Sequence, residues 1–424
     1  MIKPKKISDL FVKNGIDIPF FIMLLILITV GLVMLLSSSY FNAFYTTENG
    51  DSLFYFKRQL LWVLSGMIIL LGLSKVNYKY FKILGLLGMG VSLLFLVFVL
   101  IMPSDDGIKR WIYIGPVQFQ PSELAKLSLI IFLASGLDSD NKKITSNKPS
   151  KNAISKKLYF LSGKRLFISQ GTVTLLFYFC IVLVIAGLVA LESHLSGTIL
   201  ILGIGVIMLW LGEGKAKWFF IAGIGGIVVV TLFIVYIKAK NFEDIPLLKE
   251  YMVDRIRSWL DKDFDPQGSR WQTNQSLYAI GSGGFLGAGL GNSKEKYLYV
   301  SEPQNDFIFA IVCEELGFVG AVGILLLYAA LILRGLYIGI KARDRYGSLL
   351  AFGMVSQLAL QVILNVGVVS DLLPNTGIGL PFFSYGGTSM WLCLAEMGVV
   401  LSVSRQANLP KVYSFRKKTE TANA

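Results

Sequence analysis

The chain has few ionisable residues. Charged residues fill 16% of its 424 positions, against about 25% in an ordinary soluble domain. Hydrophobic residues fill 54%, a balance that excludes an ordinary soluble enzyme and implies lipid as the solvent for much of the surface. Histidine occurs once, at His194, which excludes a multi-histidine metal centre. The three cysteines, Cys180, Cys313 and Cys393, all lie in apolar runs without metal-ligand spacing. They read as small buried hydrophobes. No short-period repeat and no phosphate-binding glycine loop stands out, and no organic cofactor is expected.

Long apolar runs are what the chain has in abundance. A membrane span takes about 20 apolar residues. Ten runs qualify: 18–38, 59–75, 83–102, 122–137, 171–191, 196–212, 217–237, 306–333, 348–367 and 388–404. The run at 122–137 is the weakest by hydropathy, being short and containing Glu123 and Lys126. The first run exceeds the apolar core of a signal peptide and no clear cleavage site follows it, so it is expected to persist as the first helix. The expected fold is an all-α integral membrane protein. One bundle of about ten transmembrane helices covers 18–404, flanked by cytoplasmic tails at 1–17 and 405–424.

The net charge of +13 raises the question of nucleic acid, and its distribution argues against that partner. With the N-terminal tail (Lys3, Lys5, Lys6, Lys13) inside, about 26 of the 40 Lys and Arg residues fall on the cytoplasmic side, the asymmetry that orients membrane proteins. The densest cluster, Lys142 to Arg165, reads as a topology signal and a contact for anionic lipid. The external loops are then 39–58, 103–121, 192–195, 238–305 and 368–387. The loop at 238–305, before the eighth span, is the large extracytoplasmic one.

Nearly all the unusual residues fall on that external side. Pro121-Ser122-Glu123 reads as a helix start, with Glu123 near the positive end of the helix dipole. Glu123 and Lys126 are three apart and can pair on one face, either as a structural ion pair or as the wall of a polar cavity. Gln357, Gln361 and Asn365, spaced by four, share one face of the ninth span. They suit interhelical hydrogen bonds or a wet cavity. Asp261, Asp263 and Asp265 alternate as in a calcium loop, but no full ligand pattern follows. The glycine-rich run 281–293 is a weak signal for nucleotide, since no clear strand precedes it. It better suits a re-entrant or closely packed loop around a site.

Asp306 is the most informative residue. It sits where the large loop meets a span, and an ionisable group at that depth is a functional candidate. Two roles are open to it: complementing the helix dipole in the first turn, or acting as a general base. The dipole lowers a carboxylate pKa and burial raises it. Lys109, Arg110, Arg255 and Arg257 are expected on the same side, and guanidinium forks suit phosphate oxygens. A diphosphate leaving group needs positive charge, from side chains or a divalent cation, more than it needs an acid. One base with a cationic clamp therefore suits glycosyl transfer from a lipid diphosphate. Glycoside hydrolysis usually takes two facing carboxylates. Glu314 and Glu315 lie about 12 Å deeper on an ideal helix.

Several motifs in order resemble one family. They are Lys109-Arg110-Trp111-Ile112 with Gln120-Pro121-Ser122-Glu123-Leu124-Ala125-Lys126, then Glu192-Ser193-His194-Leu195-Ser196-Gly197 and Gln275 to Gly284. Gly287 to Gly291, Pro303 to Phe309 with Glu314-Glu315-Leu316-Gly317, and Pro374 to Ser389, including Ser384, complete the set. Over roughly 15–405 the chain resembles the SEDS family (shape, elongation, division and sporulation). Where RodA proteins usually have an Asp-Leu-Gly-Thr type segment, this chain has His194-Leu195-Ser196-Gly197, which favours the FtsW or SpoVE branch. Glu192 is followed by Ser193 where the family commonly has proline.

The resemblance implies a multi-pass protein of the bacterial inner membrane that polymerises lipid II into glycan strands, for division at the septum or for sporulation. It implies Asp306 as catalytic residue, Arg110 and Trp111 as the family's external basic-Trp segment, Glu123 and Lys126 as its membrane acid–base pair, and Arg255 as its loop arginine. The implied partners are a class B penicillin-binding protein transpeptidase and other division proteins. On this reading Lys109, Arg110, Arg255 and Arg257 hold the diphosphates, with magnesium or manganese as a candidate divalent cation, and Gln357, Gln361 and Asn365 shape the cavity. Two rivals are a lipid II flippase, which would show a charged path across the bilayer with discontinuous helices, and a non-catalytic division scaffold.

Overall fold

The computed structural model describes residues 11–12, 14–47, 49–102, 109–114, 117–146, 148, 169–213, 235–236, 250–297, 299–300 and 302–407. In chain order the elements are α1 (Ile18–Thr46), α2 (Phe54–Lys75), α3 (Phe81–Ile101), β1 (Ile112–Ile114), β2 (Val117–Phe119), α4 (Pro121–Ser139) and α5 (Asn141–Ile144). Then come α6 (Gln170–Leu191), α7 (Leu195–Glu213), α8 (Glu250–Leu260), α9 (Trp271–Gly283), α10 (Ile308–Ile340), α11 (Arg345–Val369) and α12 (Gly387–Gln406). Every expected span coincides with a helix except 217–237, which lies outside the described residues but for 235–236.

Eight of these helices are long and apolar enough to cross a membrane. Their outer faces are greasy: Ile68, Leu94, Ile101, Leu326 and Leu333 are all exposed, as lipid-facing positions should be. α4 is different. It carries Glu123, Lys126 and Asp138, yet most of its residues are buried, because α3, α7, α11 and α12 pack around it. A helix with charges is stable at that depth only when protein rather than lipid surrounds it. The helices meet closely where glycine faces a neighbour. A Cβ on Gly85 would lie 2.7 Å from Ile131, and one on Gly398 2.8 Å from the Leu70 carbonyl oxygen, the small-residue packing typical of membrane bundles.

Local signals set the helix ends. Asp17 caps α1 by accepting from Phe20 N at 3.0 Å and pairs with Arg334 of α10 at 2.8 Å. Asp344 caps α11 through Gly347 N at 2.9 Å. Two features go beyond an all-α bundle and loop. β1 and β2 form a small antiparallel hairpin with Ile112 opposite Phe119. The large loop is also partly helical, with α8 and α9 docked on the C-terminal end of α11. Ser276 Oγ donates to the Val369 carbonyl at 2.8 Å, Trp259 Nε1 to the Asp371 carbonyl at 3.2 Å, and Arg270 pairs with Asp371 at 2.7 Å.

α10 breaks at Gly317, whose φ and ψ are 66° and −170°. The glycine run fills the break. Ala288 N donates to the Glu314 carbonyl at 2.9 Å, Gly289 N to that of Glu315 at 3.0 Å, and Phe318 N returns a bond to Gly284 at 3.0 Å. Backbone groups freed inside a membrane helix must find such partners. A Cβ on Gly287 would sit 2.3 Å from the Glu315 carbonyl oxygen, so glycine is needed there for close approach.

Candidate active site

A cavity of about 440 Å³ opens at one end of the bundle. The hairpin, the N-terminal ends of α4 and α12, the 192–196 link, α8 and two loops, 302–307 and 377–386, enclose it. Of the residues singled out from the sequence, Asp306, Arg110, Trp111, Glu123, Lys126, Arg255, Gln361 and Ser384 line it.

The loop bearing Asp306 is clamped from several sides. Ser384 Oγ donates to the Asn305 carbonyl at 2.7 Å and accepts from Leu380 N at 2.7 Å. Tyr385 N donates to the Gln304 carbonyl at 2.9 Å, and Asn42 of α1 to the Gln304 side chain at 2.9 Å. Asn365 of α11 donates to the Asp306 carbonyl at 2.8 Å. Opposing loops are tensed as well as tied: Glu302 and Phe382, both lining residues, hold φ at 51° and 66°. Non-glycine residues seldom adopt such angles, and they cluster at functional sites.

Asp306 does not cap the helix that follows. Phe307 occupies the N-cap of α10 with no side-chain cap bond, and among the described residues no hydrogen bond to the Asp306 carboxylate is formed. Burial pushes its pKa up to about 6; Arg255 and Arg110 pull it back, and Glu302 adds to the rise. Of the two opposing effects, burial therefore outweighs the rest. The carboxyl is poised to exchange a proton near neutral pH.

The cations face it across the cavity. Arg255 Nη1 donates to the Asn375 carbonyl at 3.1 Å, and a Cβ on Gly377 would touch both this atom and Asp306 Oδ2, at 3.7 and 3.3 Å. Glycine at 377 thus keeps open the gap between base and cation. Arg110 Nη2 donates to the Ser193 carbonyl. Lys126 pairs with Glu123 at 2.7 Å on the wall formed by α4.

Four of the residues expected to hold substrate do not line the cavity. Lys109 turns away and donates to the Leu100 carbonyl at the end of α3, at 2.8 Å. Arg257 stacks on Phe264, 4.0 Å from the ring centroid, because two residues along α8 rotate it about 200° from Arg255. Gln357 lies deeper and donates to Glu396 at 2.6 Å. Asn365 is spent on two backbone carbonyls, those of Asp306 and Ile378. The polar stripe on α11 is therefore mainly a set of cross-links, and only Gln361 reaches the cavity. The glycine run is likewise tightly packed but not around the site, since none of residues 284–291 lines it.

Other lining residues have no role assigned from the sequence, although most fall within its motifs: Gln120, His194, Glu302, Asn305, Tyr385 and Thr388. Glu192 is fully buried, and among the described residues neither of its carboxyl oxygens has a hydrogen-bond partner; burial raises its pKa to about 8 against the pull of Arg110. Glu396 on α12 has no local signature; only the packing of α12 on α4 brings it near Lys126.

Among the described residues no group of three or more His, Cys, Asp or Glu side chains gathers as a metal site. The cavity does offer Glu302, whose carboxylate also accepts from Asn305 Nδ2 at 2.8 Å. Hard oxygen donors of this kind suit magnesium, which commonly takes one or two carboxylates and completes its shell with substrate phosphates and water.

The helices and the charged cavity at their end define a polytopic membrane protein with a polar site at one end of its bundle. The profile of the FtsW/RodA/SpoVE family, described as cell cycle protein, matches residues 18–409, and the chain belongs to that family. It is 38% identical over 396 residues to stage V sporulation protein E of Bacillus subtilis, covering 93% of this chain and 98% of the relative. It is 31% identical over 391 residues to the probable peptidoglycan glycosyltransferase FtsW of Trichlorobacter lovleyi, covering 92% and 93%. A solved chain from work on the coordination of polymerization and crosslinking by a peptidoglycan synthase complex superposes with a TM-score of 0.67 at 25% identity, covering 92% of this chain and 98% of that one.

Proposed function

We propose that this protein is a peptidoglycan glycosyltransferase that polymerises lipid II into glycan strands, with Asp306 as general base. The observation that carries the reading is the pairing of an unbonded, clamped carboxyl with Arg255 and Arg110 across one cavity, in a family whose relatives include probable peptidoglycan glycosyltransferases.

The geometry supports a single displacement. The acceptor sugar hydroxyl gives its proton to Asp306 and attacks the anomeric carbon of the donor. The glycosidic bond forms as the bond to the lipid diphosphate breaks, and the configuration inverts. Arg255 and Arg110 stabilise the charge that builds on the departing diphosphate. Glu302 would hold a magnesium or manganese ion there, which would supply neutralisation of diphosphate charge. The Glu123–Lys126 pair adds a charged wall, and Gln361 ties α11 to the Gly379 carbonyl at 3.1 Å.

The working partner is a class B penicillin-binding protein, a transpeptidase that cross-links the new strands; similarity to a chain of a peptidoglycan synthase complex supports it. The site of action is the outer face of the bacterial inner membrane at the division septum, with other division proteins. The similarity to a sporulation protein supports the sporulation septum as the second setting. The test is to incubate labelled lipid II with purified protein and its cognate transpeptidase, then resolve the products by length. Glycan strands are expected; a protein that only moves intact lipid II across vesicles overturns the reading.

A further inference from the structure

Histidine occurs once in this chain, and it lines the same cavity as Asp306. His194 is 7% exposed and follows the end of α6 directly before α7. Its Nδ1 lies 3.2 Å from Ser122 Oγ and 3.4 Å from Gln120 Nε2, both at the start of α4. An amide nitrogen can only donate, so Nδ1 is an acceptor and the proton of the neutral ring sits on Nε2. No hydrogen bond to Nε2 is formed among the described residues, and Nε2 is not among the atoms sealed away from solvent. Gly197 makes room for the ring: a Cβ there would lie 2.6 Å from Nδ1.

The surroundings decide what this donor can meet. Arg110 and Lys126 line the cavity with it, and Arg110 is bonded to the carbonyl of the neighbouring Ser193. Burial, then Arg110 and Lys126, push the His194 pKa down to about 3. The ring therefore stays neutral at working pH and cannot serve as the base or acid of the reaction. A neutral N–H flanked by two cations is suited to an anionic oxygen.

We propose that His194 is a substrate-binding residue whose Nε2–H donates a hydrogen bond to a diphosphate oxygen of the lipid-linked sugar donor. This rests on the glycosyltransferase reading, and it adds to that reading a neutral donor beside the arginines of the diphosphate clamp. Because the donor is uncharged, its contribution does not vary across the range in which Asp306 titrates.

The single histidine allows a direct test on the full-length protein in nanodiscs. With ¹⁵N-histidine labelling, one imidazole reports without assignment. The neutral Nε2–H tautomer is expected from pH 5 to 8, and farnesyl diphosphate should shift the Nε2 resonance saturably while farnesol does not. In steady-state polymerisation, His194→Phe should raise the KM for lipid II about tenfold or more, the value of one hydrogen bond to a charged group, with kcat less affected. His194→Gln, which keeps an N–H donor, should recover much of the loss. An Nδ1–H tautomer overturns the assignment, as does an Nε2 signal unmoved at farnesyl diphosphate concentrations that saturate binding measured by calorimetry. A folded His194→Phe with unchanged KM also overturns it. The binding arms do not need glycosyl transfer, so failure of the wild type to make glycan is a separate result bearing on the parent reading.

Discussion

Asn365 bonds the backbone on both sides of the reactive carboxyl, donating to the carbonyl of Asp306 at 2.8 Å and to that of Ile378 at 2.7 Å. One amide on a rigid helix thus fixes two loops that meet at the cavity. Asn365→Leu removes both donors and leaves two buried carbonyls unpaired, at about 1–3 kcal/mol each before relaxation. Thermal unfolding should show a clear loss of stability, and polymerisation should fall at least tenfold, since small misplacements of a catalytic group are expensive in rate. A variant as stable and active as wild type would show that the clamp is incidental.

The pKa of Asp306 predicts two opposite pH effects. As a base it works ionised, so kcat/KM should rise with pH through about 6 and level off above it. For stability the sign runs the other way. The folded-state pKa lies above the unfolded value of 3.8, so ionisation favours unfolding, and stability is lost as pH rises from about 4 to about 6. Asp306→Asn should therefore be more stable than wild type at pH 7.5, by at most about 3 kcal/mol. The gap should close below pH 4, which denaturation of both proteins at the two pH values can check.

Glycines at the break in α10 should differ sharply in tolerance. Gly287→Ala places a Cβ 2.3 Å from a carbonyl oxygen at a φ of 82°, and Gly317→Ala places one 2.2 Å from Gly287 N at a φ of 66°. Each should cost more than about 2 kcal/mol or prevent folding. Gly281→Ala, on α9 with nothing within 4 Å, should be neutral or stabilising by about 0.5–1 kcal/mol. Expression and melting temperatures of the three variants distinguish these outcomes.

Lys296 and Glu315 form a buried pair at 2.8 Å, with Ser37 Oγ donating to the same carboxylate at 2.7 Å. Lys296→Met strands a carboxylate among buried groups and should cost about 3–5 kcal/mol. Lys57→Met, at the exposed pair with Asp51, should leave the melting temperature unchanged within error.

The bundle was legible because lipid imposes long apolar runs. Even the polar fourth helix was readable, since Pro121-Ser122-Glu123 starts a helix and Glu123 can reach Lys126 one turn on. Asp306 stood out through its place where a polar loop meets an apolar run, Arg110 and Ser384 through their motifs, and Arg255 through the family resemblance. What stayed hidden depends on tertiary placement. Nothing local separates Arg255 from Arg257, yet half a turn of α8 decides which faces the cavity. Gln357 and Asn365 look like cavity polars until their partners, Glu396 and two backbone carbonyls, are in view. The glycine run signalled close approach correctly, but its target, a break in α10 rather than the cavity, is a contact between distant segments.

The most direct test of the central claim compares wild type with Asp306→Asn in lipid II polymerisation, each purified with the cognate transpeptidase and matched for folding and complex formation. The account predicts glycan strands from wild type and a loss of at least a hundredfold in the variant, the low end of what general base catalysis contributes, with transpeptidase binding retained. Equal polymer from both proteins would contradict it and remove Asp306 as the base.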